Sequence, residues 1–389
     1  MNMSDLRVAL FSGNYNYVRD GANQALNRLV EYLLRQGAQV RVYSPTVAKP
    51  AFAPQGDLVG VPSLAIPGRG EYRVPMGFNA AVKADLAAFA PNVIHVASPD
   101  PTGHAAVRWA RARGLPILAS VHTRFETYPR YYGLAFLEPA LVAILRRFYN
   151  RCDALVAPSE SMAAVLREQG MGQDVSIWAR GVDRGIFAPE RRDSAWRRAH
   201  GIGDDEVAVG FLGRLVLEKG LDVFTETVAL LRERGVAHRV LVVGEGPARD
   251  FFARECPEAV FVGFQGGADL GRAVASMDLL LNPSITETFG NVTLEAMASG
   301  IPVVAARATG STSLVQDGVT GRLVQPGDAA GFADAVEAYV RDVALREAHG
   351  RAGYARSRDY SWDAINAAVA SAYLRLLSER GGAEALASA

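Results

Sequence analysis

The sequence predicts an α/β protein made of two Rossmann-like domains, each built on a doubly wound parallel sheet. Three observations support this prediction. The chain has 389 residues, which suits about two domains of ordinary size. Short apolar runs rich in β-branched residues end at Ser, Pro or Gly, as buried parallel strands do. Helical patterns fill the gaps between these runs, and the whole alternation occurs twice along the chain.

The first half of the chain contains one set of predicted strands. They lie at 7–12, 39–44, 93–97, 117–122, 154–158 and 175–179. Between the first two, apolar residues from Ala25 to Leu34 recur at i, i+3 and i+4. This spacing predicts a helix with one apolar face, beginning near Asn23. A strand, a helix and a second strand in this order form the βαβ unit of a parallel sheet.

The second half contains a matching set of predicted strands. They lie at 207–212, 240–243, 260–262, 279–282, 302–305 and 323–324. The charged stretch 189–205 begins at Pro189 and has no long apolar periodicity, which suits a linker. We therefore predict an N-terminal domain at 1–188 and a C-terminal domain at 206–358. A terminal helix at 359–380 is expected to pack back on the N-terminal domain.

Composition argues against several classes of protein. Lys and Arg number 41 and Asp and Glu also number 41, so the net charge of zero argues against general nucleic-acid binding. Cys152 and Cys256 lie far apart without a CxxC partner, so neither a disulfide framework nor a zinc cluster is expected. The start resembles no signal peptide, and no apolar stretch reaches about 18 residues. We therefore expect a cytoplasmic protein that does not span a membrane.

The most informative stretch is 284–302, which follows a predicted strand and contains a helix that begins near Asn291. Ligands of parallel sheets bind at the carboxyl ends of the strands, so the backbone N–H groups of 288–292 should face an anion there. Glu287 lies in the loop and Glu295 lies one turn into the helix. The two carboxylates suit the vicinal hydroxyls of a sugar and of a ribose.

A second stretch places two cations after the first strand of the second half. Arg214 and Lys219 lie in the segment Gly213-Arg-Leu-Val-Leu-Glu-Lys-Gly220. A guanidinium fork and an ammonium at a strand end can hold a diphosphate and offset the charge that grows as it leaves. No metal ion is then required.

Together the two stretches resemble the signature of the retaining GT-B glycosyltransferases of family GT4, and the resemblance extends from Gly21 to Trp362. It implies a GT-B fold, in which two Rossmann-like domains face a cleft. It also implies metal-independent transfer of a hexose from GDP-mannose or a UDP-hexose to a hydroxyl acceptor, with retention of configuration. The leaving phosphate would take the acceptor proton in a front-face attack. No cofactor is expected beyond the nucleotide-sugar donor, which is a substrate.

The segment from Val243 to Pro247 resembles the family's loop near the nucleotide base. Gly244 and Gly246 are also compatible with the start of a dinucleotide fingerprint. Arg249 stands where the third glycine of that fingerprint belongs, which weakens the dehydrogenase alternative.

In the first domain, Asp20-Gly21 lies between the first strand and its helix, where a glycine lets the backbone approach the donor phosphate. The segment 120–133 resembles the acceptor-side histidine loop of the family branch that glycosylates membrane lipids. By this resemblance His122 contacts the donor sugar near the reacting carbon, and the aromatic and basic residues behind it line the acceptor site.

These considerations assign each candidate residue a role. The expected catalytic residues are Arg214, Lys219, Glu287 and His122. The expected donor-binding residues are Gly21, Gly213, Gly244, Glu245, Gly246, Thr288, Phe289, Gly290, Asn291, Val292 and Glu295. The expected acceptor-side residues are Arg124, Tyr128 and Tyr131.

The charge is unevenly distributed along the chain. Residues 1–190 hold 20 Lys and Arg against 15 Asp and Glu, which reflects either sampling or a face that meets an anionic membrane. We expect reversible membrane contact on the inner face and a membrane lipid or glycolipid as acceptor. A soluble sugar or polysaccharide acceptor is the alternative, followed by a GT-B epimerase or phosphorylase and by a two-domain sugar-binding protein.

Overall fold

The computed structural model describes residues 2–18, 20–66, 69–127 and 134–387. They form two units, one made of Met1–Ala179 with Trp362–Ala389 and the other of Arg180–Ser361. Each unit is an α/β layer structure around its own parallel sheet. The predicted fold class is confirmed.

The first unit contains a seven-stranded parallel sheet and a separate two-stranded antiparallel sheet. Its strands are β1 (Arg7–Phe11), β2 (Gln39–Ser44), β3 (Asp57–Gly60), β4 (Ser63–Ile66), β5 (Arg69–Pro75), β6 (Val93–Val96), β7 (Ile117–Ser120), β8 (Ala154–Ala157) and β9 (Val175–Ile177). Its first helices are α1 (Gly21–Arg35), α2 (Ala80–Phe89), α3 (Pro101–Arg111), α4 (Glu138–Tyr149) and α5 (Glu160–Glu168). The sheet order is β3-β2-β1-β6-β7-β8-β9, and β4 pairs with β5.

Apolar layers cover both faces of this sheet. Leu26, Leu29, Val30 and Leu33 of α1 are fully buried in one layer, as the periodicity predicts. The other layer contains buried residues of α2, α3, α4 and α5. Helix α1 begins at Gly21 rather than near Asn23, because the Asp20 side chain accepts a 2.8 Å hydrogen bond from the Asn23 N–H and caps the helix two residues earlier.

The second unit contains a six-stranded parallel sheet in the order β12-β11-β10-β13-β14-β15. Its strands are β10 (Ala208–Leu212), β11 (Arg239–Val243), β12 (Val260–Phe261), β13 (Leu279–Asn282), β14 (Val303–Ala306) and β15 (Gly321–Val324). Its helices are α6 (Ser194–Ala199), α7 (Leu221–Glu233), α8 (Arg249–Glu255), α9 (Gly267–Ala275), α10 (Asn291–Ala298), α11 (Thr309–Leu314), α12 (Ala329–Arg341) and α13 (Val343–Ser357). A cluster of Phe211, Phe224 and Phe252, with ring centroids 5.1–5.6 Å apart, lies in its core.

The segment predicted as a linker, 189–205, belongs to the second unit. Arg197 of α6 is buried, and its guanidinium donates to the Ser276 carbonyl at 2.7 Å and to Asp278 Oδ2 at 2.9 Å. A buried guanidinium with these partners fixes the segment to the strand β13 region. The units therefore divide after Ala179 rather than after residue 188.

The last helix, α14 (Trp362–Ala387), returns to the first unit and is longer than the periodicity predicts. Val369 and Tyr373 are buried in the same layer as α1. The Asn366 side-chain amide donates to the Arg28 carbonyl at 3.1 Å, which fastens α14 to α1.

Neither Cys152 nor Cys256 forms a disulfide. Among the described residues, no helix is long and apolar enough to cross a membrane. Within the same ranges, no three His, Cys, Asp or Glu side chains cluster as a metal site would require.

Candidate active site

Two strand-end loops of the second unit carry the candidate charges. Strands β10 and β13 are neighbours, so the loops that follow them lie side by side. Gly220 has a φ of +72°, and a Cβ there would lie 3.0 Å from the Pro283 carbonyl oxygen. The Thr286 hydroxyl donates to the Glu218 carbonyl at 3.3 Å. Close backbone packing therefore fixes the Lys219 loop against the Glu287 loop.

Lys219 and Glu287 form an ion pair. Lys219 Nζ lies 3.1 Å from Glu287 Oε1, with 29% of the lysine side chain and 11% of the glutamate side chain exposed. The other carboxylate oxygen, Glu287 Oε2, is buried and has no hydrogen-bond partner among the described residues. A buried oxygen without a donor is unfavourable, so a ligand hydroxyl that donates to it would be stabilised.

Glu295 lies on α10, close enough to Glu287 for their charges to interact. Burial of its carboxyl, and secondarily the charge on Glu287, raise the pKa of Glu295 to about 8. At neutral pH Glu295 is therefore mostly protonated in the unliganded protein. It can then donate a hydrogen bond as well as accept one, whereas the sequence suggested only an acceptor.

Helix α10 leaves backbone donors at its start. Gly290 precedes it with a φ of +95°, and no side chain caps the helix. The first N–H groups of a helix have no intrahelical acceptor, so those of Asn291 and Val292 are available to an anion. The Phe289 ring is buried and lies edge-on to Tyr360, with centroids 5.9 Å apart, so this side chain supports the loop by packing.

The Arg214 side chain is exposed, and within the described ranges its guanidinium has no ion-pair or hydrogen-bond partner. The residues on either side of Arg214 contact the loop that follows β11. The Leu215 N–H donates to the Glu245 carbonyl at 2.9 Å, and a Cβ at Gly244 would lie 1.9 Å from the Gly213 carbonyl oxygen. The glycine at 244 is thus explained by contact between the two loops.

The sequence did not predict a third loop behind the Glu287 loop. A Cβ at Gly310, in the first turn of α11, would lie 2.8 Å from the Phe289 carbonyl carbon and 2.9 Å from the Glu287 carbonyl oxygen. Helix α11 also begins without a side-chain cap. The sequence feature that could have indicated this loop is the run of small residues Thr309-Gly310-Ser311, which comes soon after a predicted strand.

The candidate residues of the first unit lie after β1 and β7. Gly21 opens α1. His122 follows β7, and its Nε2 lies 2.8 Å from the Ser120 hydroxyl. The Arg124 guanidinium donates to the buried carboxylate of Glu126 at 2.7 Å, so its charge is already paired. Tyr128 and Tyr131 lie outside the described residues.

A buried histidine that the sequence gave no reason to select lies beneath His122. His95 on β6 has its Nε2 2.8 Å from the same Ser120 hydroxyl, and its Nδ1 contacts the Tyr373 hydroxyl of α14. Burial lowers the pKa of His95 to about 3, so the ring is neutral.

Comparison with known proteins identifies the family. The model for Glycosyltransferase Family 4 matches residues 19–185, and the model for glycosyl transferases group 1 matches residues 206–342. A GDP-mannose-dependent alpha-mannosyltransferase of Corynebacterium glutamicum is 31% identical over 366 residues, covering 92% of this chain and 86% of that protein. The chain belongs to glycosyltransferase family 4.

Two further comparisons extend this similarity, one to a plant enzyme and one to a solved structure. Sulfoquinovosyl transferase SQD2 of Arabidopsis thaliana is 29% identical over 373 residues, covering 93% of this chain and 72% of that protein. The solved sucrose-phosphate synthase of Thermosynechococcus elongatus superposes with a TM-score of 0.79 at 21% identity, covering 96% of this chain and all of that one. The fold of this family 4 protein is GT-B, as the resemblance implied.

Membership establishes the enzyme class. The protein is a glycosyltransferase that transfers a glycosyl group from a nucleotide sugar, which confirms the predicted enzyme class. The names of the relatives differ in the sugar or the acceptor that they give: mannose from GDP-mannose, sulfoquinovose, and D-inositol 3-phosphate.

Proposed function

We propose that this glycosyltransferase moves a hexose from GDP-mannose or a UDP-hexose to a hydroxyl of a membrane lipid or glycolipid, with retention and without a metal ion. The observation that carries the proposal is the Lys219–Glu287 pair. It holds an ammonium beside a carboxylate with an unpartnered oxygen, at two neighbouring strand ends.

Cationic side chains and helix N–H groups would bind the diphosphate. Within the described ranges, the Arg214 guanidinium forms no ion pair with a carboxylate, so it can bind phosphate oxygens. Lys219, which pairs with Glu287, would turn part of its hydrogen bonding to the phosphate. The N–H groups at the start of α10 add donors. Because negative charge accumulates on the leaving diphosphate, these groups act most strongly in the transition state.

Two carboxyl groups would orient the donor. Glu287 Oε2, which is buried and unpartnered in the described structure, accepts from a sugar hydroxyl. Glu295, whose pKa is raised to about 8, donates to or accepts from the ribose. We also assign His122 of the first unit to the donor sugar, as the resemblance implies.

The proposed reaction is a same-face substitution at the anomeric carbon. The bond between that carbon and the diphosphate oxygen breaks, and the bonding pair stays on the diphosphate. The acceptor oxygen bonds to the carbon on the face that the diphosphate leaves. The acceptor hydroxyl proton passes to the leaving diphosphate, so the step requires no separate general base and its charges balance.

The names of relatives support the choice of donor. The Corynebacterium glutamicum and Mycolicibacterium smegmatis relatives, 31% and 32% identical, are described as GDP-mannose-dependent alpha-mannosyltransferases. We therefore rank GDP-mannose first and a UDP-hexose second for this chain.

An exposed apolar face on the first unit supports a lipid acceptor. Phe136 and Ile144 are 74% and 55% exposed, while Leu145 and Phe148 of the same helix region are buried. Arg147 on this helix is also exposed. Exposed apolar side chains on the same segment as a cation suit the interface of an anionic bilayer.

A donor panel tests the proposal. The full chain is incubated with GDP-mannose, UDP-glucose and UDP-galactose, each with a bacterial lipid extract or with soluble sugars, and products are scored by mass and by the anomeric configuration. We expect hexosyl lipid from one nucleotide class, with the donor's configuration kept. Transfer only to soluble sugars would overturn the lipid acceptor, and inverted product would overturn the same-face step.

A further inference from the structure

A hydrogen-bonded chain runs through the first unit from α14 to the end of β7. The Tyr373 hydroxyl contacts His95 Nδ1, and His95 Nε2 lies 2.8 Å from the Ser120 hydroxyl. The same hydroxyl lies 2.8 Å from His122 Nε2. Tyr373 and His95 have no exposed surface and Ser120 has 1%, so water does not compete along this chain.

The protons of this chain can be arranged in two directions. In one, Tyr373 donates to His95 Nδ1, His95 Nε2–H donates to Ser120, and the Ser120 hydroxyl donates to His122 Nε2. In the other, every bond is reversed, and His95 Nδ1–H donates to the Tyr373 oxygen. The Tyr373 proton would then need another acceptor.

The first direction is the more stable. Within the described ranges, the Tyr373 hydroxyl has no hydrogen-bond partner except His95. Reversing the chain would bury an O–H group without an acceptor, which disfavours that direction by about tenfold or more. Because burial lowers the pKa of His95 to about 3, His95 carries one ring proton and cannot donate from both nitrogens.

We propose that Tyr373, His95 and Ser120 act as positioning residues that hold His122 in the tautomer with its proton on Nδ1. His122 Nε2 then accepts from Ser120, and Nδ1–H is the ring's donor. A histidine tautomer is commonly fixed by the hydrogen bond of its other nitrogen. Here the hydroxyl that sets the direction of the whole chain is that of Tyr373, on the terminal helix α14.

The same helix also fixes the ring packing around this chain. Trp178 is buried, and its ring lies edge-on to His95 and to His122, with centroid distances of 6.0 and 5.4 Å. The Trp178 indole N–H donates to Asn366 of α14 at 3.2 Å. Helix α14 therefore holds both histidine rings, through Tyr373 and through Trp178.

The consequence for catalysis rests on the proposed role of His122 at the donor sugar. In the proposed tautomer, any hydrogen bond that the His122 ring donates to a sugar oxygen comes from Nδ1–H. If only this tautomer is competent, kcat/KM is proportional to its population. A variant that leaves equal populations of the two tautomers would therefore lose about half of kcat/KM.

Nitrogen NMR tests the tautomer directly in the full chain. Histidine is labelled with ¹⁵N, long-range proton–nitrogen spectra show which ring nitrogen carries the proton, and the His122 signals are assigned by their loss in His122→Gln. The expected result is His122 protonated on Nδ1 in the parent protein. Protonation on Nε2 would overturn the proposal, whatever any variant does.

Two variants of His95 separate positioning from general stability. Glutamine can accept from Tyr373 and donate to Ser120, so His95→Gln should retain the Nδ1–H form of His122. His95→Leu should show both tautomers, with kcat/KM falling in proportion to the Nδ1–H population while thermal unfolding shows a folded protein. If His95→Leu does not fold, Ser120→Ala replaces it with the same expectation. An unchanged tautomer in a folded variant would overturn the proposal.

The proposed role of His122 at the donor sugar is tested separately from its tautomer. If folded His122→Gln turns over the donor at the parent rate, His122 has no role in the reaction. The result of the tautomer measurement in the parent would not be affected. Reduced turnover in His122→Gln with Nε2 protonation in the parent would retain the role and overturn the positioning chain.

Discussion

Lys219 Nζ and Glu287 Oε1 lie 3.1 Å apart, although the two residues are 68 positions apart in the chain. The contact joins the two stretches that the sequence singled out independently, one for cations and one for carboxylates. Neighbouring parallel strands bring them together, because β10 and β13 pair in the sheet. In the proposed function a binding diphosphate would compete with Glu287 for Lys219, and donor binding would then change the orientation of Glu287.

The raised pKa of Glu295 makes folding stability depend on pH. Its folded pKa is about 8, above the ordinary value of 4.5, so between these values the folded state holds a proton that the unfolded state has released. Stability from this group therefore falls as pH rises from about 5 to about 8. Denaturant unfolding of the parent and of Glu295→Gln should show the parent losing stability relative to the variant over this range. Parallel curves would show that the carboxyl is ionised in the folded state.

Activity should persist in excess EDTA. The charges proposed to offset the diphosphate are Arg214 and Lys219, and the chain has no Asp-x-Asp triplet. Initial rates with the preferred donor are compared with and without chelator. A loss of turnover that added magnesium or manganese restores would contradict the proposal.

The first unit should bind anionic vesicles reversibly. Phe136 and Ile144 are exposed, and the exposed Arg147 lies one helical turn after Ile144 on α4. Each basic residue near an anionic surface contributes about 1 kcal/mol. In flotation, recovery should be higher with anionic than with neutral vesicles and should fall with salt, because the attraction decays over about 8 Å at physiological ionic strength.

Matched variants localise this contact. The double variant Phe136→Ser with Ile144→Ser should float less, whereas Phe264→Ser, which changes a similarly exposed ring in the second unit, should float like the parent. Equal recovery with neutral and anionic vesicles at low salt would assign the charge asymmetry to sampling and favour a soluble acceptor.

Gly244→Ala should strongly destabilise the second unit. Its φ is +139°, and the new Cβ would lie 1.9 Å from the Gly213 carbonyl oxygen. We expect a loss of about 2–4 kcal/mol in the free energy of unfolding. The control Gly235→Ala, at φ +66° with no atom within 4 Å, should cost about 1 kcal/mol. Equal losses of unfolding free energy in the two variants would mean that the loops containing Gly213 and Gly244 separate at little cost.

The fold was largely predictable because buried parallel strands must be apolar along their length. Every apolar run selected from the sequence forms a strand. Strand β3, Asp57–Gly60, was missed because it is short, lies at the sheet edge and has exposed ends. The linker was misplaced because the pairing of Arg197 with Asp278 depends on the folded second unit and has no local pattern.

The charged candidate residues were easier to select from the sequence than the buried residues that hydrogen-bond to His122 directly or through Ser120. Glu287, Glu295, Arg214 and Lys219 lie in motifs with fixed spacing, so the sequence selected them. His95 lies within the apolar strand Val93–Val96 and resembles an ordinary core position. Its partners Ser120 and Tyr373 lie 25 and 278 positions away, a relationship that only the fold reveals.

The most direct test of the active-site assignment compares kcat/KM for the preferred donor in three variants. Two remove the members of the Lys219–Glu287 ion pair, and the third changes Glu218, the neighbour of Lys219. Lys219→Ala and Glu287→Ala should each lose at least about 100-fold, as expected when one transition-state contact is removed from a folded enzyme. Glu218→Ala is the matched control, because that side chain is exposed and only its backbone carbonyl contacts Thr286. It should retain activity within about twofold of the parent. Parent-like kcat/KM in folded Lys219→Ala or Glu287→Ala would contradict the assignment of the reaction to this pair.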